Sequence, residues 1–395
     1  MKKILFPLLA VAISCGAHAA KITSTPSGNL TFTETTEWGD EVVINFRKCM
    51  ANDLYTFYSV KLNGNELNSA QYSDNIGPFL VDGFWSGGNH TNGSKKSANT
   101  LSYTIKVDGE IVSKPFNTNG SVLTVEVENE LLFSDGERFA TERMTYVVSG
   151  NSIEVYGEHD YLYPRDLKVG RYYGMQSMFN GETEILLPGT DIPTWRSFVA
   201  TNTGNEINIT KSSAPDFCTF IEHSPSGYQA SYMMREDLGN RDWVADDDVI
   251  FIGNSYSKSY HKLIGDHVVK AGDHSAWHGV YTWFSRPITD NCRNASDDLT
   301  FEYGAYIEGT PVVMTLGADG AMSQTAGIED VTVDGDAGFV SVSGNIVTVS
   351  ELAPDTRCFH LSGKTVHTGA GSFSCPQGVY IVNDMRGHSV KIIVK

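Results

Sequence analysis

The sequence predicts an all-β protein: a large β-sandwich, drawn as two packed sheets or two sandwich lobes, followed by a small immunoglobulin-like β-sandwich. Three observations carry this. Short runs of strand composition dominate, several alternate polar and apolar residues with period two, and no window of ordinary helix length holds an apolar stripe at helical spacing. The runs are Leu30 to Thr36, Val42 to Arg47, Leu101 to Val107, Val122 to Val127, Ile153 to Tyr156, Val249 to Ile252 and Val280 to Phe284. Between runs, Asn63-Gly64, Asp82-Gly83, Asp108-Gly109 and Asp135-Gly136 are hairpin signals, because the favoured two-residue turns need positive φ.

Taken in order, the chain opens with Lys2 and Lys3, an apolar run from Ile4 to Ile13, and small residues ending in Ala17-His18-Ala19. This grammar reads as a signal peptide over residues 1–19, and hence a secreted or cell-surface protein. A competing reading takes Ile13-Ser14-Cys15-Gly16 as a lipoprotein cleavage site with Cys15 lipidated, which gives a periplasmic or anchored protein. No later apolar stretch approaches the ~20 residues that a membrane-crossing helix needs, so no transmembrane segment is expected.

The formal net charge is -18, and loss of Lys2 and Lys3 with the leader makes it more negative still. Such a field repels nucleic acid, which is excluded as an expected partner, and it weakly disfavours polyanions. Beyond Cys15 the cysteines are Cys49, Cys218, Cys292, Cys358 and Cys375, with no paired metal-ligand spacing. No metal or cofactor is expected from them. Cys358 and Cys375 lie close enough in sequence for a disulfide across a hairpin, and the odd count leaves at least one thiol over.

Small, nearly uncharged residues around Met314 to Gln324 place a linker at 314–329, dividing a main domain, 20–313, from a tail, 330–395. The tail carries Phe359-His360-Leu361-Ser362-Gly363-Lys364, then Gly378-Val379-Tyr380-Ile381-Val382, then Lys391-Ile392-Ile393-Val394-Lys395. It resembles the C-terminal sorting domains of Bacteroidetes proteins exported by the type IX secretion route. The resemblance implies an address, with export machinery as a partner of the tail.

Three clusters carry candidate chemistry. In Phe84 to Ser94, "FWSGGNHTNGS", a turn accounts for Gly87 and Gly88 but leaves Trp85, Asn89 and His90 unexplained. A flat ring beside an amide and an imidazole suits a sugar-binding groove, the ring covering C–H faces and the polar tips taking hydroxyls. The second cluster, His159 to Met178, packs Tyr161, Tyr163, Arg165, Arg171, Tyr172, Tyr173 and Gln176 together, more polar-tipped rings than a core is expected to hold. Alternation there puts Arg171, Tyr173 and Met175 on one side and Tyr172 and Gln176 on the other. These two segments, Gly87 to His90 and Tyr172 to Gln176, resemble a Gly-Gly-Asn-His and Tyr-Tyr-Gly-hydrophobic-Gln pairing in uncharacterised β-rich proteins of gut bacteria and phage tails. Thr91 stands where those relatives commonly carry Gly.

The third cluster, Asp266 to Pro287, has His274 and His278 four apart around Trp277, with Asp273 beside them. On a strand the two imidazoles share a face, open to metal ligation, to acid/base work or to plain surface hydrogen bonding. Tyr232 and Arg235 are companions. For a catalytic protein the inventory suits a polysaccharide lyase best: His90, Tyr173 and His274 do the proton chemistry. Trp85, Asn89, Arg171, Tyr172, Gln176, Tyr232, Arg235, Trp277 and His278 contact the substrate. A hydrolase needs two facing carboxylates that one sequence cannot pair, and no Gly-x-Ser-x-Gly elbow supports an esterase. The expectation is a protein that binds polysaccharide or another glycan, with cleavage as the finer reading and a non-catalytic carbohydrate-binding or adhesive protein as the alternative.

Overall fold

The computed structural model describes residues 19–68, 77–177, 179–187, 193–197, 207–210, 219–233, 243, 248–253, 258–294, 299–318 and 322–325, and toward the C-terminus 340–343, 346–350, 356–360, 365–375, 378–383 and 389–394. The fold is all-β, as expected; no described residue is in an α-helix, and Asn291–Arg293 forms a 3-10 turn. Residues 1–18 of the expected leader, with Cys15, as well as Cys218 and Arg235, lie outside these residues.

The chain forms two compact units, which part between Thr325 and Ala326. The larger is built on a ten-stranded antiparallel sheet whose centre runs Ala98–Val107, Leu123–Leu132, Arg138–Ser149, Ser152–Tyr161, His274–Phe284, Gly227–Met233 and Thr219–Ser224. The period-two pattern does what it predicts. Along Leu123–Leu132, Leu123, Val125, Val127, Asn129 and Leu131 are buried, while Thr124, Glu126, Glu128 and Glu130 face outward. Two six-stranded sheets share the apolar face so created. One begins with the N-terminal strands and supplies Phe46 and Phe57, each 5.5 Å between ring centroids from Tyr146 and Tyr281 respectively. The other has the order Ile207–Thr210, Asp248–Gly253, Lys258–Val269, Leu167–Ser177, Phe79–Val81, Phe84–Ser86 and supplies Phe79 and Tyr172. Each ring of this size contributes about 1.5–3 kcal/mol by burial.

A four-stranded sheet, Thr289–Asp290 with Phe301–Ile307, Thr310–Leu316 and Met322–Thr325, covers part of the opposite face of the ten-stranded sheet. Tyr303 stacks on Phe284 at 4.8 Å, and the Tyr306 N–H donates to Ser152 Oγ at 2.9 Å. This corrects the linker expectation over 314–325. Leu316 pairs with Met322 and Val313 with Thr325, so both ends of that stretch are strand, and Met314 and Leu316 alternate into the core.

Three of the hairpin signals are two-residue turns with both residues at positive φ: Asn63-Gly64, Asp82-Gly83 and Asp108-Gly109. The smaller unit packs a three-stranded and a four-stranded sheet around Val347, Val349, Cys358, Cys375, Tyr380 and Val382. Its last two strands, Gly378–Asn383 and Ser389–Val394, form an antiparallel pair. Cys358 and Cys375 are thiols there, hydrogen-bonded to each other, and burial pushes the Cys358 thiol up to about 12.

Candidate functional site

The Asp82-Gly83 hairpin builds the first part of the site. Asp82 Oδ1 accepts the Lys168 N–H at 2.9 Å and Oδ2 accepts Arg165 at 2.8 Å, fixing the hairpin to the strand Leu167–Ser177. The Arg165 bond, working against burial, holds the Asp82 carboxyl below its usual range. Phe79 and Val81 point into the core, so the intervening Leu80 points out. Leu80 pairs with both Trp85 and Arg171, making the outward row Arg171–Leu80–Trp85.

The double glycine then turns the chain with φ values of 81° and 48° at Gly87 and Gly88, conformations that cost a side chain-bearing residue strain. Buried polar groups hold the turn. Asn52 Nδ2 donates to the carbonyls of Gly88 (2.8 Å) and His90 (2.6 Å), and Ser97 Oγ donates to the His90 carbonyl at 2.5 Å. The result is an ordered loop that sets His90 against Trp85, ring centroids 5.0 Å apart and 19° from parallel.

Tyr173 arrives from the Leu167–Ser177 strand, only 4% exposed, and lies 6.4 Å from Trp85 at 16°. Its hydroxyl accepts from Arg171 Nη1 at 3.3 Å, and its ring meets Tyr260 at 4.6 Å. Segments roughly 80 positions apart in the sequence thus meet, as expected for His90 and Tyr173, in a band of near-parallel rings beside an exposed guanidinium. Tyr260 went unnoticed in the sequence. Its strand, Lys258–Val269, shows no aromatic clustering, and only pairing with Leu167–Ser177 brings it beside Tyr173.

Other expected residues fall elsewhere. Asn89 is exposed, but its Oδ1 accepts the Ala51 N–H at 2.8 Å, a bond that ties the loop to the neighbouring turn. Tyr172, Gln176 and Trp277 are core residues at 0%, 1% and 4% exposure, and Trp277 Nε1 donates to the Tyr172 hydroxyl at 2.9 Å. Strict alternation fails at this strand because the register shifts on both sides of Tyr173, between Tyr172 and Met175, and such bulges turn a side chain over. Met175 therefore faces inward against Gly279 rather than outward with Tyr173. Nor are the tyrosines too polar for a core: Tyr161 pairs with Ser275 at 3.1 Å and Tyr163 with Asp135. Tyr232, 8% exposed, pairs with Val280 and Thr219 in the ten-stranded sheet, away from Trp85.

His274 and His278 do share one face, and it is the ten-stranded sheet's other face, turned away from the layer that carries His90 and Tyr173. The expected trio His90, Tyr173 and His274 is therefore not assembled. His274 is exposed and pairs with Asp160 at 2.9 Å, which also takes Arg143 at 2.7 Å. These hydrogen bonds outweigh burial and hold the Asp160 carboxyl below its ordinary value. His278 is buried, stacked on Tyr156 at 3.9 Å and 3.3 Å from Glu154. Beside them opens a cleft of about 330 Å³ lined by Glu126, Glu128, Arg143, Tyr156 and Glu158 among others. Among the described residues no group of three or more His, Cys, Asp or Glu side chains is arranged to hold a metal ion.

No family model matches the chain, and no curated protein matches it. Among solved structures it is similar to a family 36 α-galactosidase from Geobacillus stearothermophilus, with 9% identity and a TM-score of 0.41 over 67% of this chain and 41% of that one. A heparinase III matches at 11% identity and TM-score 0.31 over 79% and 42%, and a polysaccharide lyase at 8% and 0.28 over 97% and 47%. The chain spans less than half the length of each. Likeness at this level brings no residue correspondence with it.

Proposed function

We propose that the protein binds polysaccharide through the outer face of the second six-stranded sheet, with the half-buried Trp85 and His90 as the aromatic contact, the exposed Arg171 as their polar partner, and the buried rings of Tyr173 and Tyr260 packed behind them. The observation that carries this is the convergence of rings from three separate strands and an anchored loop on one face, next to a guanidinium. Rings with polar edges take sugars by covering C–H faces while donors meet hydroxyls. Retention of the purified chain on a panel of insoluble plant, algal and host glycans tests the reading. At least one glycan retains the wild type, and Trp85→Ala weakens that retention at least tenfold, about 1.4 kcal/mol. Retention of none, or equal retention of Trp85→Ala, overturns it.

The finer reading, β-elimination on a uronate-bearing glycan, is favoured by one contact: the Arg171 guanidinium at the Tyr173 hydroxyl, where a cation stabilises the phenolate a proton-abstracting base requires. Ultraviolet absorbance of an unsaturated product, lost in Tyr173→Phe, tests it. Export belongs to the same proposal, with residues 1–19 as leader and the unit from Ala326 onward as sorting signal. A chain ended at Thr325 should then fold and stay inside the cell; its appearance in the medium overturns that role.

A further inference from the structure

Between the second six-stranded sheet and the ten-stranded sheet lies a set of buried polar side chains that the glycan-binding surface does not use. Glu222, 0% exposed, enters from Thr219–Ser224. Its Oε2 accepts Ser177 Oγ at 2.5 Å and Gln229 Nε2 at 2.9 Å. Gln229 is held in turn by Trp283, whose Nε1 donates to Oε1 at 2.7 Å. The second oxygen of Glu222 has no hydrogen-bond partner, and neither oxygen of Glu182 has one. Glu182 precedes the strand Glu184–Leu187; its stem reaches the surface while its carboxyl is enclosed, near enough to Glu222 for the two charges to act on each other. The fully buried hydroxyls of Ser259, beside Glu222, and of Ser231, two residues along the strand from Gln229, are also unpartnered.

Among the described residues no Lys, Arg or His pairs with either carboxylate. Buried polar atoms in native proteins are satisfied almost without exception, and a buried carboxylate without a partner costs several kcal/mol. Here three carboxylate oxygens are buried without a hydrogen-bond partner, on two side chains close enough for their charges to interact. The donor set is oxygen alone, which suits hard cations and not thiolate- or imidazole-seeking metals. Two carboxylates carry the charge of one divalent ion. Their irregular setting, with neutral hydroxyl and amide neighbours, fits an ion that tolerates six to eight mixed oxygens better than one that demands an octahedron.

We propose that Glu182 and Glu222 are the anionic ligands of a divalent, calcium-class cation held between these two sheets, with neutral oxygens completing its shell. The site joins strands of both layers, so its ion is structural and independent of the glycan surface.

The test uses the full chain treated with chelator and then titrated with calcium chloride, followed by calorimetry and thermal unfolding. Terbium is a second probe, because Trp283, one hydrogen-bonded residue from Glu222, sensitises its emission at this site. The expected result is one saturable calcium site, a raised unfolding temperature, and terbium emission that calcium displaces. Glu182→Gln and Glu222→Gln each weaken calcium binding at least tenfold. The inference is overturned if calcium leaves the wild-type transition unmoved and displaces no sensitised terbium. It is equally overturned if both variants bind calcium as tightly as the wild type, which assigns the binding to surface carboxylates. Should Glu222→Gln fail to fold, Glu182→Gln decides alone, since its stem is at the surface.

Discussion

Replacing Glu34 by Gln should make the protein more stable at high pH and leave it nearly unchanged at low pH. Glu34 is 6% exposed, and its Oε2 accepts the Gly150 N–H at 3.0 Å where the strand Leu30–Thr35 meets the turn after Arg138–Ser149. Burial, opposed by that single N–H, pushes its carboxyl from 4.5 up to about 7. The other titratable groups around it are Glu37 and Tyr306, and neither is a cation. A carboxyl raised on folding keeps its proton in the folded protein after the unfolded chain has lost it. Its stability contribution is therefore complete below pH 4.5 and is lost as pH rises toward about 7. At about 1.4 kcal/mol per pH unit the loss has a ceiling of roughly 3 kcal/mol, and partial solvent contact screens it to about 2 kcal/mol.

The assay is urea unfolding of wild type and Glu34→Gln at pH 5 and pH 8, read as the difference of differences. Gln keeps an oxygen for the Gly150 N–H, so the variant isolates the charge. Relative to wild type, Glu34→Gln should gain about 2 kcal/mol between the two pH values. The wild-type curve alone cannot decide this, because His261 pulls the other way. Burial holds its imidazole neutral down to about 3, so its contribution grows as pH rises from there toward 6.5. An offset that is the same at both pH values, or one that favours wild type at pH 8, refutes the reasoning.

Trp277→Phe should cost about 2–3 kcal/mol in chemical denaturation, through the lost indole volume and the donor taken from Tyr172, while glycan retention stays at the wild-type level. Gly157→Ala should cost about 1–3 kcal/mol by the same measurement, since its Cβ would stand 2.3 Å from Trp277 Nε1. His274→Ala should fall within about 0.5 kcal/mol of wild type, because exposed ion pairs contribute little. Cys358 and Cys375, already hydrogen-bonded to each other, should form a disulfide on passage through an oxidising compartment. Intact mass of exported protein, lower by two hydrogens and resistant to alkylation, checks it, and two alkylated thiols refute it.

The all-β class was legible because it depends on local rules. A strand such as Leu123–Leu132 announces its buried face at every second residue, and a turn such as Asp82-Gly83 announces its positive φ. Those rules hold wherever the partner strand lies. The strand pairing across 314–325 escaped because the sequence Gly-Ala-Asp-Gly-Ala reads the same in a linker as in a turn, and only the pairing of Leu316 with Met322 separates the two readings.

The candidate site was half legible for a different reason. Its polar and aromatic residue types were visible, but their side of the sheet was not, and in a protein of packed sheets the side decides between binding and packing. Tyr172 and Tyr173 are neighbours of the same type and both are buried; one is fixed against Trp277 between the sheets and the other lies beside Trp85. The bulges that separate them arise from how Leu167–Ser177 pairs with Lys258–Val269, a register that no single strand encodes. The same holds for His274 and His278, rightly placed on one face, yet that face belongs to the layer opposite His90. A polar ring therefore counts toward a binding surface only when its hydroxyl or ring nitrogen is not already engaged by the layer beneath. By that criterion Trp277, which spends its N–H on Tyr172 inside the core, leaves the site.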